Sequence, residues 1–488
     1  MRRLLALAAA ALALSACTLE PHYARPAPAV PAAWPTGPAY PPPAAEAALP
    51  SLSYREVFRD PRLVALIEQA LANNQDLRAT IANVAIARSQ YRIERSGLLP
   101  SLDAGVSGRE AHTGSAITSP GAQQTSRGYQ ADLAVTNFEI DLFGRQRSLT
   151  HAAFQQYLAT AEGARAARLT LVGEVARAYL TLAADRSLLA VSSQTVASAQ
   201  RTVSLTNARL KGGVAARGDL VQAETLFDQA RSDEQQRLTA VAQDRNALEL
   251  LVGGQVADAA LPPGLESVDG LVAEVPAGLD SRILLRRPDV TEAEHRLRAA
   301  NAQIGAARAA FFPSIGLTGL AGFASPALTT LFDHGHFTWQ GQGSAALPIF
   351  SGGANLARLS VARAQRTQAL ALYQGAIQAA FRDVADALAR RGTMEAQLAA
   401  QHDLAAAAGA AQDLSLARYR EGVDPYLTTL VAQRTYYAAQ QSLLATRLAR
   451  AENLVAIYQA IGGDPLIDDM PAGGAAAPPA GMSSISGS

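Results

Sequence analysis

Cysteine is nearly missing: Cys17 is the only one in the 488 residues, so no disulfide forms within the chain. A thiol nucleophile needs a base beside it and a zinc site needs several ligands, so a lone cysteine points elsewhere. Charge of one sign is not in excess either, since Lys+Arg and Asp+Glu both total 42. A nucleic-acid binder shows a basic surplus, and this balance argues against that class. Aromatic residues are only 6%, too few for a thick aromatic core. HExxH, the Walker-A loop and GxSxG do not occur, which removes the commonest signatures of enzymes. Proline is absent from Arg145 to Leu261 and again from Ser351 to Asp424. Alanine, the best helix former, is abundant instead, and the two facts together favour long, closely packed helices.

The first residues read as an address. Arg2 and Arg3 precede an apolar run, Leu4 to Leu14, that is too short to span a bilayer. Leu14-Ser15-Ala16-Cys17 is similar to a bacterial lipobox. That resemblance implies cleavage after Ala16, S-diacylglycerol on the Cys17 thiol and an N-palmitoyl chain on the new amino group. Each buried methylene contributes ~0.8 kcal/mol, and stable anchoring needs more than one chain. Thr18, where Asp would retain a lipoprotein at the inner membrane, implies sorting to the outer membrane. The bland alternative is an ordinary secreted protein with a cysteine at its cleavage site. Residues 20–50, rich in Pro and Ala, are expected to run as an extended tether.

From about residue 60 the chain repeats itself. Leu98-Leu99-Pro100-Ser101 corresponds to Phe311-Phe312-Pro313-Ser314, and Asp141-Leu142-Phe143-Gly144 to Pro348-Ile349-Phe350-Ser351-Gly352. Ala208-Arg209-Leu210-Lys211-Gly212-Gly213-Val214 corresponds to Ala417-Arg418-Tyr419-Arg420-Glu421-Gly422-Val423. The expected organisation is a signal peptide (1–16), a lipidated tether (17–55), a first repeat (56–265), a second (266–465) and a disordered Ala/Gly/Ser/Pro-rich tail (466–488). Each repeat is read as a helix, a strand hairpin (about 99–143 and 313–350), a very long helix, a turn and a further helix. The proline-free stretches allow helices of about 65 residues, roughly 100 Å at ~1.5 Å per residue. Leu169, Val172, Val175, Ala176 and Tyr179 recur at helical spacing.

The hairpins alternate instead. Phe337, Trp339, Ala345, Leu347 and Ile349 are apolar, with Thr338, Gln340, Gln342 and Ser344 between them. From Tyr129 the apolar residues hold odd positions to Val135, then even ones at Phe138, Ile140 and Leu142, which predicts a bulge near Asn137. Alternating strands of ~9–11 residues are the membrane-barrel signature. Four strands cannot close a barrel, and an open edge in lipid is not viable. If these strands span a membrane, several subunits share one barrel.

Together these landmarks resemble the outer membrane factor family, the TolC-like ducts, and within it the lipoprotein subgroup of the NodT and OprM type. The similar segments are Cys17 followed by Pro21-His22-Tyr23-Ala24-Arg25-Pro26; Asn137 to Arg145, with Phe138 where the family has Trp; and Arg286-Arg287-Pro288-Asp289-Val290 leading through Ala293-Glu294, Ala299 to Ala302 and Ile304-Gly305 to Phe311-Phe312-Pro313-Ser314. The resemblance implies an α+β membrane protein: a homotrimer whose four strands per subunit make a shared twelve-stranded β-barrel, continued by a long periplasmic α-helical barrel. It implies an outer-membrane location, no cofactor beyond lipid, and a passive duct for small molecules such as drugs or other toxic compounds. The implied partners are a periplasmic adaptor and an inner-membrane pump of the resistance-nodulation-division type.

The resemblance also implies that Gly212, Gly213, Val214, Gly422, Val423 and Asp424 form periplasmic tips that meet the adaptor. Thr428, Leu430 and Val431 are the candidate pore constriction. Val431 stands where relatives carry Asp, so weak cation selectivity is expected. Asp333-His334-Gly335-His336 is read as a solvated hairpin loop and not as a metal site. Two alternatives remain: a periplasmic adaptor lipoprotein, which would have one helical hairpin and soluble β-domains, and an envelope hydrolase, for which no catalytic constellation is found.

Overall fold

The structure, a computed structural model, describes residues 18–41, 53–114, 125–265 and 281–463. The export signal, Cys17 and the tail from residue 466 lie outside the described residues. The chain falls into two units. The first comprises Met1–Ala29, Ala79–Ala164 and Asp289–Gln378; the second comprises Val30–Arg78, Arg165–Pro288 and Ala379–Ser488. Each unit draws on both halves of the sequence.

The elements run α1 (Tyr54–Val57), α2 (Pro61–Asn73), α3 (Gln75–Ser96), β1 (Asp103–His112), β2 (Thr125–Glu139), α4 (Arg145–Lys211) and α5 (Arg217–Val252). They continue with α6 (Pro288–Ala309), β3 (Ser314–Ser325), β4 (Phe337–Ala346), α7 (Ala354–Arg420) and α8 (Tyr426–Ala460). The helices α4 and α7 have 67 residues each, which at 1.5 Å per residue is about 100 Å.

In the first unit the strands form one antiparallel sheet in the order β1-β2-β3-β4. The β2–β3 register shifts between Val135 and Phe138. Asn137 sits there at φ 50°, and its N–H donates to Thr318 Oγ1 at 3.2 Å. The change of phase in the apolar alternation is therefore a bulge. Near the end of β3, the Ala324 N–H donates to the His336 carbonyl at 2.9 Å, so His336 closes the β3–β4 hairpin.

In the second unit, α2, α4, α5 and α8 bury Leu63, Ile67, Val175, Tyr179, Val252 and Tyr458 in one core. The series Leu169, Val172, Val175, Ala176 and Tyr179 is buried throughout, as its spacing requires. Asp60 caps α2: its carboxylate accepts from the Arg62 N–H at 2.9 Å and from the Tyr179 hydroxyl at 2.6 Å, with Pro61 opening the helix. Arg287 donates to the Ala460 carbonyl at 2.9 Å, placing a cation at the C-terminal end of α8. The Arg-Pro-Asp sequence there is thus a joint between helices.

Candidate functional site

Three features can carry function: the sheet, the N-terminal segment and the two helix turns. The strands have 10, 15, 12 and 10 residues, enough to cross a bilayer at a tilt. β4 is exposed at every position. Val106 on β1 is 82% exposed and Trp339 on β4 76%. An antiparallel sheet in water buries one face, and these two strands bury neither. They also have one unpaired edge each among the described residues.

In the first unit the first residues of the N-terminal segment, which form no helix, are docked. Asn301 Nδ2 donates to the Pro21 carbonyl at 2.7 Å and Arg308 to the Leu19 carbonyl at 3.1 Å. A Cβ at position 305 would stand 2.9 Å from the Glu20 Cα, so only glycine lets the segment lie this close. His151 pairs with Glu20 at 3.0 Å. The hydrogen bond that His151 donates to the Glu20 carboxylate raises the His151 pKa against the effect of burial.

Glu294 on α6 is the hub of this contact. The residue is 3% exposed and accepts from Arg25 at 2.6 and 3.0 Å, from Arg298 at 2.6 Å and from the Tyr23 hydroxyl at 3.2 Å. Burial pushes its carboxyl up, but the hydrogen bonds from Arg25 and Arg298 outweigh that and hold it below the usual range. Burial and then the Glu294 charge push Tyr23 up to about 12. Nearby, Phe143 stacks on Phe312 at 4.7 Å, joining the end of the first repeat's hairpin to the start of the second's. The segments that carry the family resemblance therefore hold the N-terminal strap and the helix–sheet junction.

In the second unit the two turns share one geometry. The Val214 N–H donates to the Arg209 carbonyl and the Gly213 N–H to the Leu210 carbonyl. Likewise the Val423 N–H donates to the Arg418 carbonyl and the Gly422 N–H to the Tyr419 carbonyl. Each is a Schellman motif, with Gly213 at φ 76° and Gly422 at φ 77°. Gly212, Gly213, Val214, Gly422 and Val423 are exposed. Asp424 is engaged: Arg418 donates to both of its oxygens at 2.7 and 2.9 Å, which lowers its pKa.

Sequence reasoning missed Arg209 and Tyr419. Arg209 on α4 donates to the Tyr419 and Arg420 carbonyls at 3.0 and 3.1 Å and lies 4.8 Å from the centre of the Tyr419 ring. It caps the end of α7 and ties one turn to the other. Both residues were in the repeated segment, but the pairing between repeats had no local signal.

The constriction residues divide. Val431 is 56% exposed, and Thr428 is exposed beside it at i−3. Leu430 is corrected: at 5% exposure it packs with Ala199, Ala223, Leu226, Tyr419 and Tyr426 in a small core. One hundred degrees of helical rotation separates it from Val431, which is enough to turn it from the open face into the packing.

The family model described as outer membrane efflux protein matches residues 66–254 and 279–463. The chain is 43% identical over 464 residues to the probable efflux pump outer membrane protein TtgC of Pseudomonas putida, covering 95% of this chain and 96% of that one. It is 40% identical to the outer membrane protein OprJ of Pseudomonas aeruginosa, covering 93% and 94%. Among solved structures, the open state of the MtrE outer membrane channel of Neisseria gonorrhoeae matches with a TM-score of 0.82 at 36% identity, covering 92% and 98%.

Proposed function

The chain belongs to the outer membrane efflux protein family and is an outer-membrane efflux channel of the TolC-like fold, and we propose that it works as a lipid-anchored homotrimer within a three-part export machine. Three four-stranded sheets would close one twelve-stranded barrel. The observation that carries this is the bare sheet: among the described residues β1 and β4 present exposed faces and unpaired edges, and in lipid every edge must be paired.

Diacylglycerol and palmitate on Cys17 would hold the N-terminus in the same membrane. The docked strap supports this, because it fixes residues 19–25 against the unit that carries the sheet. The turns at Gly212–Val214 and Gly422–Asp424 would receive a periplasmic adaptor. Val214 and Val423 offer it two exposed apolar side chains in equivalent positions. An inner-membrane pump of the resistance-nodulation-division type would supply the energy and choose the cargo, drugs or other toxic small molecules. This chain acts as a passive duct and not as an enzyme.

Thr428 and Val431, repeated three times, would line a neutral constriction. Asp424 adds little charge there because Arg418 binds it. Weak cation selectivity follows, since selectivity filters for cations use rings of free carboxylates. The test of the assembly is the mass of the lipidated protein in mild detergent, by light scattering with the detergent subtracted. One chain is 50.9 kDa, so about 150 kDa is expected if three chains share a barrel. A stable monomer would overturn the proposal.

A further inference from the structure

The second unit contains a cavity that none of these roles uses. It lies among α4, α5, α7 and α8 and measures about 400 Å³, within the ~300–1,000 Å³ of small-molecule sites. Gln194, Gln412, Gln433 and Gln440 line it with amides, Tyr436 adds an aromatic ring, and Arg201 is the one charged side chain in the lining. No carboxylate is among the described residues of the wall.

Gln433 is the residue that points to a ligand. It is 5% exposed, and its amide nitrogen donates to Thr202 Oγ1 at 3.3 Å. Its carbonyl oxygen, Oε1, is buried without a partner. Such an acceptor is costly to leave unmet, and packing alone is served by leucine, as at Leu430 one turn earlier. Tyr436 is placed by a neighbouring glycine: a Cβ at position 409 would stand 3.1 Å from the ring. The Tyr437 hydroxyl is already bound to Ser192 and Asp233, so the buried unmet acceptor of the site is Gln433 Oε1.

The chemistry of the wall selects the occupant. An orphan acceptor requires an O–H or N–H donor, and amides that both donate and accept suit groups that do the same. A tyrosine ring suits an apolar C–H face. A lone guanidinium with no carboxylate disfavours a cation. Adjacent hydroxyls on a carbon ring meet all four conditions. We propose that this cavity is a binding site for a small uncharged polyol, of the size of a mono- or disaccharide, with a hydroxyl donating to Gln433 Oε1. Because four helices build the wall, the bound molecule ties the α4–α5 pair to the α7–α8 pair.

The test uses the full lipidated protein in a polyoxyethylene detergent, which has no sugar headgroup, with trehalose as the probe. Saturation-transfer NMR should show transfer from protein to trehalose. The signal should fall at least fivefold in Gln433→Leu, which removes the acceptor at similar volume. It should fall as far in Ala197→Phe, which fills the cavity from an exposed position and decides alone if Gln433→Leu fails to assemble. No transfer in the wild type, equal transfer in the variants, or equally strong transfer to tetramethylammonium would overturn the proposal.

Discussion

Replacing Glu294 by Ala should release the N-terminal strap while the rest of the fold stands. The substitution leaves Arg25, Arg298 and Tyr23 without their shared acceptor. Breaking a fully buried ion pair from one side costs ~3–5 kcal/mol. Here the Arg25 and Arg298 side chains remain 49% and 35% exposed, so water takes over part of the lost interaction. A cost of roughly 2 kcal/mol follows, or roughly a 30-fold larger opening constant for the strap. Chymotrypsin cutting after Tyr23 reads that opening, because cleavage tracks the open population when reclosing is fast. Glu294→Gln keeps an acceptor and loses only the charge, so its rate should lie between the two. A rate in Glu294→Ala within threefold of the wild type would refute the role given to Glu294. A comparable rise at sites throughout the chain would refute it too, since that means general unfolding.

Leu430→Asp places a charge in a closed core and should lower the unfolding temperature and the yield of assembled protein, by about 3 kcal/mol or more. Val431→Asp, on the open face, should fold normally and raise the cation preference of single channels in planar bilayers; unchanged selectivity would remove Val431 from the constriction. Tyr437→Phe deletes the hydroxyl that links α8 to Ser192 on α4 and Asp233 on α5. It should cost about 1–2 kcal/mol, read as a lower unfolding temperature. The His151 pKa is raised in the folded chain from 6.5, by Glu20 and despite Arg298. Its contribution is therefore full below about 6.5 and fades as pH rises through the higher folded value. Cleavage after Tyr23 should accelerate over that rise, and His151→Gln should abolish the dependence.

What the sequence made legible follows from the range of each signal. The strands, and the bulge at Asn137, were readable because a strand repeats every two residues and a slip of one inverts the pattern. The 67-residue helices were readable because nothing in them breaks a helix. The turns at Gly213 and Gly422 were readable because a Schellman end needs a left-handed residue. Leu430 was misplaced because α8 carries apolar residues on more than one side, so composition did not choose its face. Glu294 was passed over because its partners Tyr23 and Arg25 lie 271 and 269 residues away. The docking of the tether was not legible because proline and alanine report backbone conformation and say nothing about contacts.

The equal lengths of α4 and α7 have a consequence for how such a chain can change over generations. Both helices leave the same sheet, and their far ends are fastened by Arg209 to the carbonyls of Tyr419 and Arg420. Removing seven residues from one helix alone would shift its turn by about 10 Å and pull that fastening apart. Removing seven from both would keep the faces and the fastening aligned. The lengths of α4 and α7 can therefore vary only in matched steps, with insertions and deletions inherited in pairs across the two repeats.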